Sequence, residues 1–313
     1  MIICPDCAAK IATLGDSTCE CGWSPSILDG IPVMLATADR VGALSIQYHE
    51  NYDTIANDDM RGAVMDETFV RNLASNLLRH VGSVVNLDVC DIGVGKGYLA
   101  KSLSLQARSV VAVDIARAYL APLRNAANVT PVIANAENLP FESAFDVVTS
   151  TDVMEHVLNL GSFLYCTNRA LRQDGRFIVS VPFRENLLPY SPHMGCPYDL
   201  VHMRTFNRQT LLDCLEVSGF RVTATHMDGY FPGRPQSFWT KSARRQAAYA
   251  NIRKRLTHRL GSEADFTRLS PGVARLLMPP SVIIAVAHKV RSLPPSLAHE
   301  TRRGGKTAVA LQD

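Results

Sequence analysis

The chain has 313 residues, of which 47% are hydrophobic and 19% charged, which excludes a disordered or collagen-like protein. The formal net charge of +3 is uneven, because residues 1–233 carry a net charge of −8 and residues 234–313 a net charge of +11. The apolar run at residues 282–287 is too short to span a bilayer, and the N-terminus lacks a secretory signal pattern. We therefore expect a cytoplasmic protein with one α/β core and smaller attachments.

Four of the eight cysteines lie within the first 21 residues, in the pairs Cys4/Cys7 and Cys19/Cys21. Two closely spaced thiolate pairs suit tetrahedral zinc, which would stabilise a segment too small to fold alone. The stretch CPDC…CECG…DGIPVML resembles the small zinc ribbons related to the tRNA methyltransferase activator subunit. Its second pair is C-x-C where C-x-x-C is usual, so the alternative is a ribbon that has lost its metal.

Four segments follow from the composition and patterning of the chain. Residues 1–36 are predicted to form the zinc-ribbon module and residues 37–65 a linker or cap. Residues 66–240 form the core, and residues 241–313 a basic helical extension. At the start of the core, Phe69, Leu73 and Leu77 recur at helical spacing.

Residues 83–183 alternate β-rich runs with helical patterns. Strict alternation of strand and helix implies right-handed crossovers and a parallel, doubly wound Rossmann-like sheet. Ligands of such sheets bind at the carboxyl ends of the strands, so the loops that follow the strands are the candidate site.

The first of these loops reads DIGVGKGY, with glycines at Gly93, Gly95 and Gly97. A dinucleotide-binding loop requires a third glycine where this chain has Tyr98. A phosphate-binding Walker loop requires Ser or Thr directly after its lysine, whereas Lys96 precedes Gly97. Both nucleotide-binding interpretations are therefore disfavoured.

Asp91 lies within this loop and Asp114 ends the next strand. Carboxylates here favour a cationic ligand with a ribose, as in S-adenosylmethionine. The motifs DIGVGKG, Asp114, NAENLPF and FDVVTSTDVMEHV resemble those of class I S-adenosylmethionine-dependent methyltransferases, in the same order.

The resemblance implies a seven-stranded sheet and a cofactor bound at nine positions. The glycines would contact the methionine part, Asp91 its amino group and Asp114 the ribose, while Asn135 replaces the family's adenine-binding aspartate. The positions are Asp91, Gly93, Gly95, Gly97, Asp114, Asn135, Ala136, Glu137 and Thr151.

The residues present in the loops, and the motifs absent from them, indicate which kind of group accepts the methyl group. Residues 150–153 do not match the Asn/Asp-Pro-Pro-aromatic loop of enzymes that methylate base amino groups. The candidates for a catalytic base are His156, just after the fourth strand, and His202, on an insertion at residues 182–204, because histidine titrates near neutrality. Either residue can instead shape the pocket or fix the loop by a hydrogen bond.

In the extension, residues 241–260 predict an amphipathic helix with a basic face. Such a helix would contact an anionic membrane, a phosphorylated substrate or RNA, or would simply dock on the core. Residues 282–290 read as an apolar helix, and residues 301–313 as flexible.

The sequence thus favours a methyltransferase acting on a small-molecule, glycan or lipid-linked acceptor, most plausibly at a hydroxyl oxygen. The alternatives are an RNA-modifying methyltransferase and a non-catalytic cofactor-binding scaffold. The predicted location is cytoplasmic, with peripheral membrane contact as an option.

Overall fold

The structure is a computed structural model that describes residues 1–15, 18–62, 67–230, 233, 235–261 and 269–294. No helix within these ranges has both the length and the apolar character needed to cross a membrane. Residues 301–313, predicted to be flexible, lie outside the described residues.

Within the described residues, one mixed sheet of nine strands forms the centre of the molecule. In chain order, the strands are β1 (Ser26–Leu28), β2 (Ile31–Val33), β3 (Asp88–Ile92), β4 (Ser109–Asp114), β5 (Val129–Ile133), β6 (Phe145–Thr151), β7 (Leu171–Pro182), β8 (Phe220–Asp228) and β9 (Val282–Lys289). Their order across the sheet is β1-β2-β5-β4-β3-β6-β7-β9-β8. The pairs from β2 to β7 are parallel, and β1 and β9 pair antiparallel with their neighbours.

Helices cover both faces of the sheet, as the alternating sequence pattern predicted. They are α1 (Thr37–Val41), α2 (Ala43–Met60), α3 (Glu67–Val81), α4 (Tyr98–Ser104), α5 (Arg117–Leu120), α6 (Leu160–Ala170), α7 (Arg208–Val217), α8 (Ser237–Thr240), α9 (Ala243–Leu260) and α10 (Pro271–Leu277). Successive strand residues point to opposite faces, so Cys90 packs with α6 and α7 while Val89 packs with α3 and α4. The strands buried on both faces explain the near-continuous apolar runs in the sequence.

The register of the central strands places the predicted site loops together. Ile92, the last residue of β3, lies opposite Val113 on one side and Ser150 on the other. The glycine loop, Asp114 and Thr151 therefore leave the sheet at the same edge.

The predicted number of seven strands is corrected to nine. The two additional strands, β1 and β2, form a hairpin of the N-terminal module that extends the sheet beyond β5. Val33 lies opposite Ile133, and the Met34 N–H donates to the Ile133 carbonyl at 2.8 Å. Each of these strands has only three residues, and all three residues of β1 are exposed, so the alternation is too short for the sequence to predict their pairing.

Residues 282–290, predicted to be helical, instead contain strand β9. This strand pairs on both sides, with β7 and with β8, and most of its side chains are buried. A strand with both faces covered shows the same unbroken apolar run as a buried helix, so periodicity could not distinguish the two. The sheet thus takes one strand from residues 241–313, the segment assigned to a helical extension.

Helices α1 and α2 occupy residues 37–60 of the segment predicted as a linker or cap. A cavity at the carboxyl edge of the sheet is lined by three α2 side chains, Tyr48, Tyr52 and Asp59. This segment is therefore a cap over the candidate site.

Helix α9 confirms the predicted helix within residues 241–260. Its Tyr249 is buried in a small cluster with α10 residues such as Ala274 and Leu277, and Ile252 packs against the same cluster. The apolar face of the helix is thus covered by protein, and its basic side chains remain on the other side.

Candidate functional site

A cavity of about 480 Å³ opens where the parallel strands end. Its walls come from the loops after β3, β4, β5, β6 and β7 and from the cap helix α2. This is the edge at which ligands bind to doubly wound sheets, and the volume lies in the usual range for small-molecule sites.

The glycine loop adopts backbone conformations that other residues rarely take. Gly93 and Gly95 have φ of +70° and +50°, in the left-handed region. A Cβ on Gly93 would lie 2.2 Å from Val153 Cγ2, so that glycine permits close packing of two loops. A Cβ on Gly95 would meet no protein atom within 4 Å, and Gly95 lines the cavity. The space beside Gly95 is therefore open to a ligand.

Asp114 is buried directly beside this loop. Its Oδ2 accepts a hydrogen bond from the Gly95 N–H at 3.1 Å and its Oδ1 accepts from the Ala116 N–H at 2.9 Å. Burial raises the pKa of Asp114 to about 6, and the two backbone donors oppose that rise. Asp114 lines the cavity, and its contact with a ribose stays a prediction.

Asp91 is also buried at the cavity wall. Its Oδ1 accepts from the Thr149 hydroxyl at 2.7 Å, and burial together with the negative charge of Asp114 raises its pKa to about 7. Two neighbouring carboxylates with raised pKa values form an environment that a cationic ligand would stabilise.

Asn135, Ala136 and Glu137, three of the positions predicted to bind the cofactor, are arranged differently from one another. Asn135 and Ala136 line the cavity, but the Asn135 Oδ1 accepts from the Glu137 N–H at 2.9 Å and its Nδ2 donates to Asp39 at 2.9 Å. The Glu137 carboxylate accepts from the N–H groups of Leu158 and Asn159. The structure therefore places Glu137 as a support for the loop before α6, outside the cavity lining.

Thr151 lines the cavity as predicted, and its neighbour Asp152 was not anticipated. Among the described residues, Thr151 Oγ1 and Asp152 Oδ1 are buried without a hydrogen-bond partner. Burial raises the pKa of Asp152 to about 6, and His202 opposes the rise. Polar atoms of this kind at a cavity wall are available to a ligand.

His156 lines the cavity and is held in one orientation. Its Nδ1 lies 2.6 Å from the Val201 carbonyl oxygen and 2.9 Å from the Tyr52 hydroxyl. Because a carbonyl oxygen only accepts, Nδ1 carries the hydrogen and Nε2 keeps its lone pair. Burial lowers the pKa of His156 to about 3, and His202 acts in the same direction. The ring is therefore neutral at physiological pH.

His202 lies beside His156, with ring centroids 4.4 Å apart. Its Nδ1 hydrogen-bonds to the Glu185 carboxylate, which also accepts from the Tyr190 hydroxyl at 2.6 Å, and the Tyr190 ring stacks on His202 at 3.9 Å. Burial would raise the pKa of Glu185, but these two hydrogen bonds hold it below its ordinary value. His202 is thus fixed by its partners with Nε2 free.

The loop after β7 separates into residues inside and outside the site. His193 is exposed, and the Tyr198 hydroxyl donates to Asp58 of the cap at 2.9 Å. Arg204 donates to the carbonyls of Met154 and Val157, at 2.7 and 2.5 Å, and so anchors the loop that carries His156.

Several site residues escaped the sequence analysis. Lys96 of the glycine loop pairs with Asp59 of α2 at 3.1 Å, which ties the cap to the loop. Tyr48 and Tyr52 are one helical turn apart, a spacing that could have indicated a shared helix face toward the site. Glu185 offered no such signal, because its partner His202 is brought near only by the fold.

The N-terminal cysteines form a compact group of four sulfurs. Cys4 Sγ lies 3.7 Å from Cys21 Sγ, and Cys7 Sγ lies 3.5 Å from Cys19 Sγ. All four sulfurs are within 4.8 Å of one another. A tetrahedral site with Zn–S bonds of about 2.3 Å needs sulfurs about 3.8 Å apart, so the geometry fits zinc despite the C-x-C spacing.

Comparison with known proteins agrees with this geometry. Residues 90–179 match the family described as a methyltransferase domain. A protein of Mycolicibacterium smegmatis named "probable S-adenosylmethionine-dependent methyltransferase" is 34% identical over 140 residues, 44% of this chain and 53% of the relative. The mitochondrial ubiquinone biosynthesis O-methyltransferase of Schizosaccharomyces pombe is 30% identical over 100 residues, 29% of this chain and 36% of the relative.

A solved structure shares the fold. The 1,6-didemethyltoxoflavin-N1-methyltransferase of Burkholderia thailandensis, with bound 1,6-didemethyltoxoflavin and S-adenosylhomocysteine, has a TM-score of 0.52 at 19% identity, covering 85% of this chain and 99% of that chain. The chain spans about half the length of the first curated relative it matches. Residues 90–179 therefore match a methyltransferase domain, and the chain has an α/β Rossmann-like fold.

Proposed function

We propose that the protein is an S-adenosylmethionine-dependent methyltransferase that methylates a hydroxyl oxygen of a small-molecule, glycan or lipid-linked acceptor. The observation that carries this proposal is the Asp114 carboxylate beside Gly95, both lining one cavity at the carboxyl edge of the sheet. When bound, S-adenosylmethionine supplies a methyl group already activated by its sulfonium charge.

The residues present fit this cofactor. The open space beside Gly95 admits a ligand against bare backbone, and the Asp114 carboxylate can accept from ribose hydroxyls. Asp91 supplies a second buried negative charge toward the cationic part. Asn135 presents an amide oxygen that is already bonded to the Glu137 N–H, so it would accept from the adenine amino group through its second lone pair.

The acceptor half of the cavity supports an oxygen acceptor. His202 lines it, and its Glu185 contact is made through Nδ1, which leaves Nε2 for a group that must lose a proton on methylation, whereas the lowered pKa of His156 makes that ring a weak base. The cavity is also lined by apolar side chains such as Ile55, Leu73 and Val282, which would accommodate an apolar or lipid-linked acceptor. The name of the S. pombe relative, an O-methyltransferase, supports the same acceptor atom.

The test combines cofactor binding with identification of the product. Calorimetry should show one S-adenosylmethionine bound per chain, and labelled cofactor incubated with extract should transfer its label to an organic-soluble or glycan product. His202→Ala should abolish transfer without weakening cofactor binding, whereas His193→Ala, an exposed residue of the same loop, should leave both unchanged. Labelled RNA as the main product would favour the RNA-modifying alternative, and absence of cofactor binding would sink the proposal.

We further propose that Cys4, Cys7, Cys19 and Cys21 bind a structural zinc ion. The support is the sulfur geometry and the position of the module, whose hairpin extends the central sheet. Metal analysis of the purified protein should find zinc bound in proportion to the chain, and Cys7→Ser should release it.

The basic face of α9 is proposed to contact an anionic membrane surface. Arg244, Lys254, Arg255 and Arg259 are exposed, while the apolar face of the helix packs on α10. Contact would therefore be electrostatic rather than insertional, about 1 kcal/mol per basic residue near the surface. Binding to vesicles containing phosphatidylserine should disappear at high salt and in a Lys254→Glu, Arg255→Glu variant, whereas retention on RNA alone would favour a nucleic-acid partner.

A further inference from the structure

Three ligand-type side chains converge at the acceptor end of the cavity. Atoms of Glu155, His156 and His202, one carboxylate oxygen and one ring nitrogen from each histidine, all lie within 4.8 Å of one another. Glu155 and His156 follow β6, whereas His202 comes from the loop after β7, so the fold brings together residues separated by more than forty positions.

Both histidines are held as metal-bound histidines usually are. His156 Nδ1 donates to the Val201 carbonyl at 2.6 Å, and His202 Nδ1 hydrogen-bonds to the Glu185 carboxylate. Outer partners of this kind fix the tautomer and ring orientation of histidine ligands and leave Nε2 to coordinate. His156 Nε2 lies 3.7 Å from Glu155 Oε1, close enough for one ion to contact both.

Glu155 provides an independent observation. Its side chain is 0% exposed, and neither carboxylate oxygen has a hydrogen-bond partner among the described residues. A buried carboxyl group without a partner is costly in either protonation state, whereas a bound cation would satisfy it. His156, whose Nε2 lies 3.7 Å from Glu155 Oε1, is itself a ligand candidate.

We propose that Glu155, His156 and His202 bind one divalent transition metal ion. Two imidazoles and one carboxylate are the donor set of sites that keep coordination positions open, and they suit Zn²⁺, Mn²⁺ or Fe²⁺ better than Mg²⁺, which prefers oxygen ligands. The open positions face the cavity, because both histidines line it. In this arrangement His202 is a metal ligand and not the proton acceptor.

The metal would act on the hydroxyl group of the acceptor, and this role rests on the proposed function. A divalent ion held by these residues would make a bound hydroxyl more acidic, so that its proton would leave to solvent while the oxygen forms a bond to the methyl carbon and the S–CH3 bond of S-adenosylmethionine breaks. The acceptor would therefore bind through the hydroxyl oxygen that receives the methyl group.

Mn²⁺ is the sharpest probe, because the four-cysteine site selects softer metals such as zinc. The full chain is stripped with a chelator, and free Mn²⁺ is measured by electron paramagnetic resonance during titration. We expect one bound Mn²⁺ in the wild type and in His193→Ala, and at least a tenfold loss of affinity in Glu155→Gln and in His202→Ala. Circular dichroism of each variant checks that it folds, and His202 lies outside the strands of the sheet.

Zinc content and cofactor binding separate the possible failures. The wild type should bind two zinc ions, and both His202→Ala and Cys7→Ser should bind one. A wild type that takes up no Mn²⁺ and only one zinc, or His202→Ala binding Mn²⁺ like the wild type, overturns the metal site. If S-adenosylmethionine still binds, the proposed function survives that result; if Mn²⁺ binds and S-adenosylmethionine does not, the proposed function fails and the metal site stands.

Discussion

Because of Asp114, a rise in pH should lower the stability of the ligand-free protein and raise its affinity for the cofactor. Burial raises its pKa from 3.8 to about 6. Because the folded-state value is the higher one, the contribution of Asp114 to stability is complete below pH 3.8 and is lost as the pH rises through about 6. At about 1.4 kcal/mol per pKa unit, the ionised group lowers the free energy of unfolding by about 3 kcal/mol at pH 8.

The substitution Asp114→Asn removes this charge and keeps the shape of the side chain. The Asn oxygen can still accept from one of the two N–H donors, Gly95 or Ala116, so part of the gain is offset by weaker hydrogen bonds. We expect the free energy of unfolding at pH 8 to rise by about 1–3 kcal/mol and its decrease between pH 4 and 7 to become shallower. Loss of the charged acceptor for the ribose should weaken S-adenosylmethionine binding by about 10- to 100-fold, equivalent to about 1.5–3 kcal/mol.

Urea unfolding of the ligand-free protein from pH 4 to 8 and calorimetric titration with S-adenosylmethionine measure the two effects. Asp174→Asn, at an exposed position, is the matched control and should change neither. In the wild type, cofactor affinity should increase from pH 5 to 8, because a cation binds the ionised carboxylates of Asp114 and Asp91. An Asp114→Asn protein that binds the cofactor as tightly as the wild type would refute the reasoning.

Four further substitutions test other parts of the structure. Gly93→Ala should lower the free energy of unfolding by several kcal/mol, because its Cβ would lie 2.2 Å from Val153. Gly95→Ala should lower the free energy of unfolding by only about 1 kcal/mol but weaken cofactor binding at least tenfold. If the two variants changed stability and cofactor binding equally, the assigned geometry would be contradicted. Cys7→Ser should release zinc and lower the melting temperature, and a variant that melts like the zinc-loaded wild type would show that the module does not stabilise the sheet. Lys289→Met should cost about 2 kcal/mol by denaturant unfolding, since its buried ammonium donates to two carbonyl oxygens at 2.7 and 2.9 Å; an unchanged midpoint would mean that those bonds contribute nothing.

The cofactor half of the site could be predicted from sequence because its signals are local. Gly93 and Gly95 lie in the loop that follows β3 and Asp114 ends β4, and parallel strands bring their carboxyl ends to one edge whatever the details of packing. Glu137 shows the limit of that reasoning, because a residue in the correct motif turned its carboxylate toward the backbone of the next loop. Position in a motif predicts the neighbourhood of a side chain but not its partner.

The contacts within the acceptor half could not be predicted from the sequence, because they join segments far apart in the chain. His202 and Glu185 are 17 residues apart on one loop, and the Tyr52 contact with His156 spans 104 residues. None of these residues occurs in a periodic pattern that indicates the contact. The prediction of a helix at β9 was wrong for a related reason, since burial on both faces removes the alternation from which a strand is recognised.

These two halves also explain why the fold alone leaves the acceptor open. The sheet supplies the glycine loop and Asp114, which are the features expected wherever a class I domain binds its cofactor. The cap helix α2 and the loop after β7 supply Tyr52, Glu185 and His202, and they lie outside the alternating strand and helix pattern that defines the fold. A solved structure that shares the sheet, such as the N1-methyltransferase, therefore shows the fold and gives no information on the acceptor atom that we propose for this chain. In the arrangement that we propose, the acceptor atom is the one that the cluster of Glu155, His156 and His202 would ionise, and this cluster needs His202 from the loop after β7, outside the alternating pattern of the fold.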